Sequence, residues 1–253
     1  MLSQHLSGTL LREPCTVSEQ DLKIIHGLAN PPLLPLSASE IYVRRCRLAS
    51  DQIDSRYGRF RTENLPRLLE LVQGAPVLIG HDRRTLGIAR FFGGDVEKRD
   101  DISWIVPRFY WPRVHSQADD LRVMIDAGVY NEASIAFVYR APICSICEQD
   151  LRGCPHWPGR TYDGQLCFFW YDGIERVTEG SLVYRGAAPG TGIELACDHA
   201  TAKDEKENGI DDDGTERKLL IKHRGIRYSA LLAPIRSVQP VTQKTCISNK
   251  NGK

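Results

Sequence analysis

The 253-residue chain has no run of about eighteen or more apolar residues, so no helix is expected to span a bilayer. Its first residues show no basic stretch leading into an apolar one, which argues against a secretory leader. An excess of one charge is also missing. The 33 Lys and Arg nearly balance the 32 Asp and Glu, for a formal net charge of +1, which argues against a uniformly basic protein that coats nucleic acid. The His-Glu-x-x-His helix of zinc proteases does not occur. Nor does the Gly-x-Ser-x-Gly elbow, which removes support for an α/β-hydrolase arrangement. No internal repeat is present. What remains is ordinary globular composition, 42% hydrophobic and 26% charged, sufficient for a sizeable core.

Cysteine, by contrast, is plentiful: the chain has eight. In a chain without an export signal, clustered cysteines point to metal rather than to disulfides, and to a reducing, cytoplasmic setting. The cluster is Cys144-Ser-Ile-Cys147 followed by Cys154-Pro-His156. It offers three thiolates and one imidazole within a short segment, a donor set that suits tetrahedral zinc. Cys167 is the alternative to His156 as fourth ligand. Four protein donors fill the coordination sphere and leave no position for water, so the site reads as structural. The charges around it are mixed, Glu148 and Asp150 offsetting Arg152, which is not the basic face of a nucleic-acid finger.

Along the chain, residues 1–36 read as a peripheral segment. Ser18 and Asp21 form a capping-box pattern before Leu22, Ile24 and Ile25, and the proline-rich 31–35 ends regular structure. A strand is expected from Glu40 to Ala49, with Ile41 and Val43 on one face and Tyr42 and Arg44 on the other. A helix follows from Thr62 to Val72, closed by Gly74. Residues 76–80, 86–92, 102–111, 133–138, 166–171 and 181–184 read as strands. A helix capped by Ser116 and Asp119 should bury Leu121, Met124 and Ile125. Residues 197–216 are an acidic linker with almost no apolar residues. Residues 217–253 form a C-terminal tail that starts with strand character and a basic tint.

His81 closes the apolar stretch Leu78-Ile-Gly-His81-Asp82, where a rigid strand can present a general base. Ser134 opens the apolar stretch Ser134-Ile-Ala-Phe137. Each has an ordinary explanation when taken alone, as a turn histidine and as a small residue at a strand start.

In order, however, the segments from Ile41 to Ile193 resemble the prohead maturation proteases of tailed bacteriophages, which are related in fold to the herpesvirus assemblins. Ile41–Cys46 with 54–60 is similar to the opening strand and turn. Gly74-Ala-Pro-Val-Leu-Ile-Gly-His81-Asp82 with Leu86-Gly87 is similar to the histidine motif. Leu121–Gly128 followed by Ala133-Ser134-Ile-Ala-Phe137 is similar to the helix and serine strand. Glu175-Arg-Val-Thr-Glu179-Gly-Ser181-Leu-Val183 with Gly186-Ala-Ala-Pro-Gly190 is similar to the acidic strand and the turn after it.

The resemblance implies an α+β fold. It would be a small, mainly antiparallel β-barrel with flanking helices spanning 37–196, carrying a zinc-knuckle insertion at 141–160 and the polar C-terminal tail. It implies serine peptidolysis, with Ser134 as nucleophile, His81 as base and Glu179 as the acid that orients the imidazole. Asp82 is a weaker choice for the third role, because sequence neighbours on a strand point apart. His115 is a further candidate, since the herpesvirus relatives use a second histidine. The implied substrates are scaffold, capsid-protein extensions and the chain itself, with 197–216 a plausible self-cleavage region. The setting would be the assembling procapsid in the bacterial host cytoplasm. The implied partners are capsid and scaffold proteins and a second copy in a homo-oligomer, with neither membrane nor nucleic acid. One departure stands out: the family usually has glycine two residues after the serine, where this chain has Ala136. That leaves a second reading, a catalytically inactive, zinc-stabilised capsid-assembly protein. A third is a zinc-containing nucleic-acid binder using the basic stretch Lys222–Arg227.

Overall fold

The computed structural model describes residues 7–12, 17–195, 217–223 and 226–233. In chain order the strands are β1 (Ser7–Arg12), β2 (Ile41–Arg47), β3 (Ala49–Ser50), β4 (Gly58–Arg59), β5 (Pro76–Ile79), β6 (Ala89–Arg99) and β7 (Ile102–Pro112). They continue with β8 (Glu132–Cys144), β9 (Thr161–Tyr162), β10 (Gln165–Leu166), β11 (Phe169–Val183), β12 (Gly192–Leu195), β13 (Arg217–His223) and β14 (Ile226–Ala233). The helices are α1 (Glu19–His26), α2 (Leu65–Val72) and α3 (Ala118–Asp126). Among the described residues, no helix is long and apolar enough to cross a membrane.

These elements form two units. In the smaller, β1, β14 and β13 make an antiparallel sheet in that order, with Ser7 opposite Ala233 and Arg217 opposite Leu232. The strand character expected at the start of the C-terminal tail is thus present. The acidic linker 197–216 lies outside the described residues.

The larger unit is α+β. Its main sheet runs β12-β2-β7-β6-β5-β11-β4, with β8 antiparallel to β11 and β3 antiparallel to β7. Most pairings are antiparallel, but β5 and β4 each run parallel to β11, so the sheet is mixed. Register shifts between Phe92 and Asp95 on β6, and twice along β11, bend the strands and curl the sheet. As it curls, the Ile193 N–H of β12 donates to the Asn131 carbonyl just before β8, at 3.0 Å.

Alternation decides which face each strand buries. On β2, Ile41 and Val43 join Ile25, Phe92 and Tyr110 in a small apolar cluster. On its other face, Tyr42 donates to Asp119, and Arg44 makes a two-nitrogen pair with Asp126, both on α3. The helix α1 closes the small cluster and has the expected capping box, Ser18 and Asp21 each accepting from the other's backbone N–H. The larger core gathers Leu65, Leu68 and Val72 of α2 against Phe91, Ile105, Phe109 and Trp111.

Three expectations change. The helix α3 starts at Ala118 with Gln117 at its N-cap and no side-chain cap, rather than being capped by Ser116 and Asp119. Asp119 instead accepts from Tyr42 and pairs with Arg122. Of the two strands expected at 166–171 and 181–184, residues 169–171 and 181–183 are ends of one fifteen-residue strand, β11, and Leu166 belongs to the short β10. Glycines and charges in its middle, including Gly173, Glu175 and Arg176, sit where β11 bulges against β8. The strand expected over 86–92 starts at Ala89, as β6, and Leu86 is exposed.

Candidate functional site

Three strands bring the predicted residues together. Val77 and Leu78 of β5 pair in parallel with Gly180 and Ser181 of β11. On the other side of β11, Ser134 lies opposite Ser181, and Ala136 lies opposite Glu179. Directly paired residues point to the same face, as do residues two apart on one strand. Ser134, Ala136, Glu179 and Ser181 therefore share one face. Gly180 points the other way, where an added Cβ would come within 2.5 Å of the Phe91 ring. That close approach explains glycine between the two polar residues.

His81 reaches the same face through a turn. Gly80 and His81 both have positive φ, +61° and +58°, and Asp82 N–H donates back to the Ile79 carbonyl at 3.2 Å. This is the geometry of a type I′ turn. Gly80 N–H is bound to the Leu182 carbonyl, and His81 N–H donates to Ser181 Oγ at 3.0 Å. The turn is thus folded back over β11. There His81 Nδ1 lies 2.7 Å from Glu179 Oε1, and Ser181 Oγ donates to Glu179 Oε2 at 2.9 Å.

Burial sharpens the chemistry. Glu179 is 2% exposed and Ser181 1%, whereas the His81 side chain is 37% exposed. A buried carboxylate with two short partners accepts from both. With Nδ1 turned to the carboxylate, Nε2 is the ring nitrogen left for another partner. Ser134 is 8% exposed, one strand spacing from β11. Among the described residues, no hydrogen bond joins its hydroxyl to His81.

The other candidates are placed elsewhere. Asp82 binds Arg84 through its side chain, and that guanidinium holds its carboxyl below the ordinary value. His115 accepts from Gln117 N–H and lines a cleft of about 250 Å³ with Ile79, Trp111, Leu121, Met124 and Tyr130. Among the described residues, neither makes a hydrogen bond or ion pair with Glu179. Ser181 was not singled out for any role in the sequence. The signal that could have found it is its place two residues after Glu179, which puts both on one face of a strand.

The cysteine segment forms a second constellation at the far end of β8 and β11. Cys144 closes β8 opposite Phe169. The Glu148 and Ile146 N–H groups turn back onto the Cys144 carbonyl and Sγ. The donor atoms of Cys144, Cys147, Cys154 and His156 all lie within 4.8 Å of one another, with Cys144 Sγ to His156 Nδ1 at 3.7 Å. Donors around a tetrahedral ion with metal–sulfur bonds of about 2.3 Å stand roughly 3.8 Å apart. The residues therefore fit one metal ion. Burial pushes the Cys144 thiol up, but the Cys147 and Ile146 N–H groups and the neighbouring thiols outweigh it and bring it below the ordinary value. Cys167, buried at 4.0 Å from Cys144 Sγ, stands beside the four; burial and then Cys144 push it up to about 11.

Comparison with family models, with curated proteins and with solved structures finds no match for this chain.

Proposed function

We propose that the protein is a serine endopeptidase of the prohead-maturation type. The observation that carries this reading is the buried Glu179 bound to His81 Nδ1 at 2.7 Å, on the strand next to Ser134. In the proposed reaction Ser134 Oγ attacks the scissile carbonyl and His81 Nε2 takes its proton. Glu179 stabilises the imidazolium without itself taking a proton. The imidazolium then protonates the leaving amine, and water, activated by the same nitrogen, releases the acyl group. Among the described residues β8 pairs along its length with β11 alone. Its outer edge can take an extended substrate segment as an added strand.

The natural substrates on this reading are scaffold, capsid-protein extensions and the chain itself, inside a procapsid in the bacterial host cytoplasm. They rest on the resemblance of motifs. So does the small β-barrel, for which the bond between β12 and the start of β8 is support. Cys144, Cys147, Cys154 and His156 would hold one zinc ion, which when bound cross-links the end of β8 to the loop that follows it.

A second reading is a non-catalytic capsid-assembly protein. It is favoured by Ala136, whose Cβ lies on the same face as Ser134. The deciding experiment uses a fluorophosphonate probe, which reacts with activated serines and needs no known substrate. Intact mass should show one adduct, located at Ser134 by peptide mapping and absent from Ser134→Ala and His81→Ala. Co-expression with the neighbouring capsid protein should give cleavage products only with the wild-type chain. An unlabelled wild-type protein together with uncut capsid protein would favour the second reading.

A further inference from the structure

We propose that Ser181 is the positioning residue of the His81–Glu179 pair, its hydroxyl selecting which carboxylate oxygen meets the imidazole and holding His81 in the Nδ1–H tautomer. The inference rests on the reading of His81 as general base and adds a fourth residue to it. It starts from hydrogen-bond direction. A backbone N–H can only donate, so Ser181 Oγ accepts from His81 N at 3.0 Å through a lone pair. Its own proton is then free for Glu179 Oε2 at 2.9 Å. With Oε2 engaged there, Oε1 is the oxygen presented to His81 Nδ1 at 2.7 Å.

One hydroxyl thus ties both ends of the histidine, its backbone directly and its ring through Glu179. At 1% and 2% exposure, Ser181 and Glu179 leave little room for solvent to substitute. The backbone tie matters because His81 holds φ at +58°, a conformation uncommon for a residue with a Cβ. The two flanking N–H groups of the turn are bound by the Leu182 and Ile79 carbonyls. The His81 N–H takes its acceptor from a side chain instead. Without the Ser181 hydroxyl that donor is orphaned, Oε2 loses its partner, and the Glu179 carboxylate can rotate away from the ring.

The test is read on the histidine ring and requires no turnover. The full chain, labelled with ¹⁵N-histidine, is compared as wild type, Ser181→Ala, Ser181→Thr and Ser181→Cys above the pH at which His81 titrates. Long-range ¹H–¹⁵N correlations report which ring nitrogen carries the proton. Wild type and Ser181→Thr should show the Nδ1–H form; Ser181→Ala should shift toward Nε2–H. If Ser181→Ala does not fold, Ser181→Cys replaces it, keeping the side chain's shape while weakening the donor, with the same shift expected. An unshifted tautomer in the folded hydroxyl-free variant, or Nε2–H in wild type, would overturn the proposal.

Fluorophosphonate labelling runs in parallel and separates the two claims. The rate in Ser181→Ala should fall, by no more than the roughly 10²–10⁴-fold that general-base catalysis supplies. A tautomer shift with no labelling of wild type would leave the positioning role standing and remove the peptidase reading. Normal labelling with an unresponsive tautomer would do the reverse.

Discussion

Glu179 is a carboxylate that water does not reach, at 2% exposure, and its two oxygens are both taken, by His81 Nδ1 and by the Ser181 hydroxyl. A neutral amide in its place has nearly the same shape but offers only one acceptor oxygen. Glu179→Gln can keep the fold while setting an N–H₂ donor against one of two groups that need an acceptor. On the serine-peptidase reading, the imidazole then turns to present the wrong nitrogen to Ser134. The predicted outcome is a loss of about 10³–10⁴-fold in the rate of labelling at Ser134, as expected when an orienting carboxylate becomes an amide. The thermal midpoint should move by only a few degrees. Stopped labelling time courses and melting curves on the same preparations check it. A rate within tenfold of wild type would mean that the carboxylate does not orient the ring.

At the scale of elements, the strand β11 carries both constellations: Glu179 and Ser181 near its end, and Phe169 beside Cys144 at its start. The metal cluster and the serine therefore sit at opposite ends of the same β8–β11 ladder. On the zinc reading, purified protein should contain one ion per chain, and Cys144→Ser should contain none. Chelation should lower the melting temperature, because metal binding is coupled to folding of the loop it closes. Elemental analysis and melts with and without chelator are the measurements. A metal-free wild type with unchanged stability would retire the cluster as a cofactor site. Much of this pair of strands was legible. The apolar residues of Ala133–Val138 marked the first part of β8 and the cysteine spacing marked the cluster, but β8 runs on to Cys144, inside the segment expected as an insertion. The middle of β11 did not read as strand, because its register shifts against β8 spoil a simple period of two. The joining of His81 to Glu179 spans 98 residues and rests on a turn with two positive φ values, which no local pattern reveals. The start of α3 was misplaced for a similar reason, since Tyr42 on a distant strand claims Asp119.

At the scale of the whole larger unit, charge fastens the curled sheet where apolar packing does not. Arg45 and Arg47 of β2, Glu97 and Arg99 of β6 and Glu194 of β12 form one network. Arg45 pairs with Glu97 and Glu194 at 2.7 and 3.0 Å, and Arg99 with Glu194 at 2.6 Å. The strands β2 and β6 both flank β7 and are not neighbours, so the network bridges across it. Burial pushes the Glu194 carboxyl up, but Arg99, then Arg45 and Arg47, outweigh it and hold it below the ordinary value. A group with a depressed folded pKa contributes stability above its unfolded pKa, near 4.5, and loses it as pH falls through the folded value. Acidification below about pH 4.5 should therefore destabilise the wild type through this residue. Glu194→Gln should cost roughly 1–3 kcal/mol at neutral pH, less than a fully buried pair because Glu194 keeps 22% of its side chain exposed. The gap between the two proteins should close as the pH falls and Glu194 of the wild type takes up its proton. Urea melts at pH 7, 5 and 3.5 measure this. A gap that stays constant across that range would place the effect of the substitution in packing rather than in the charge of Glu194.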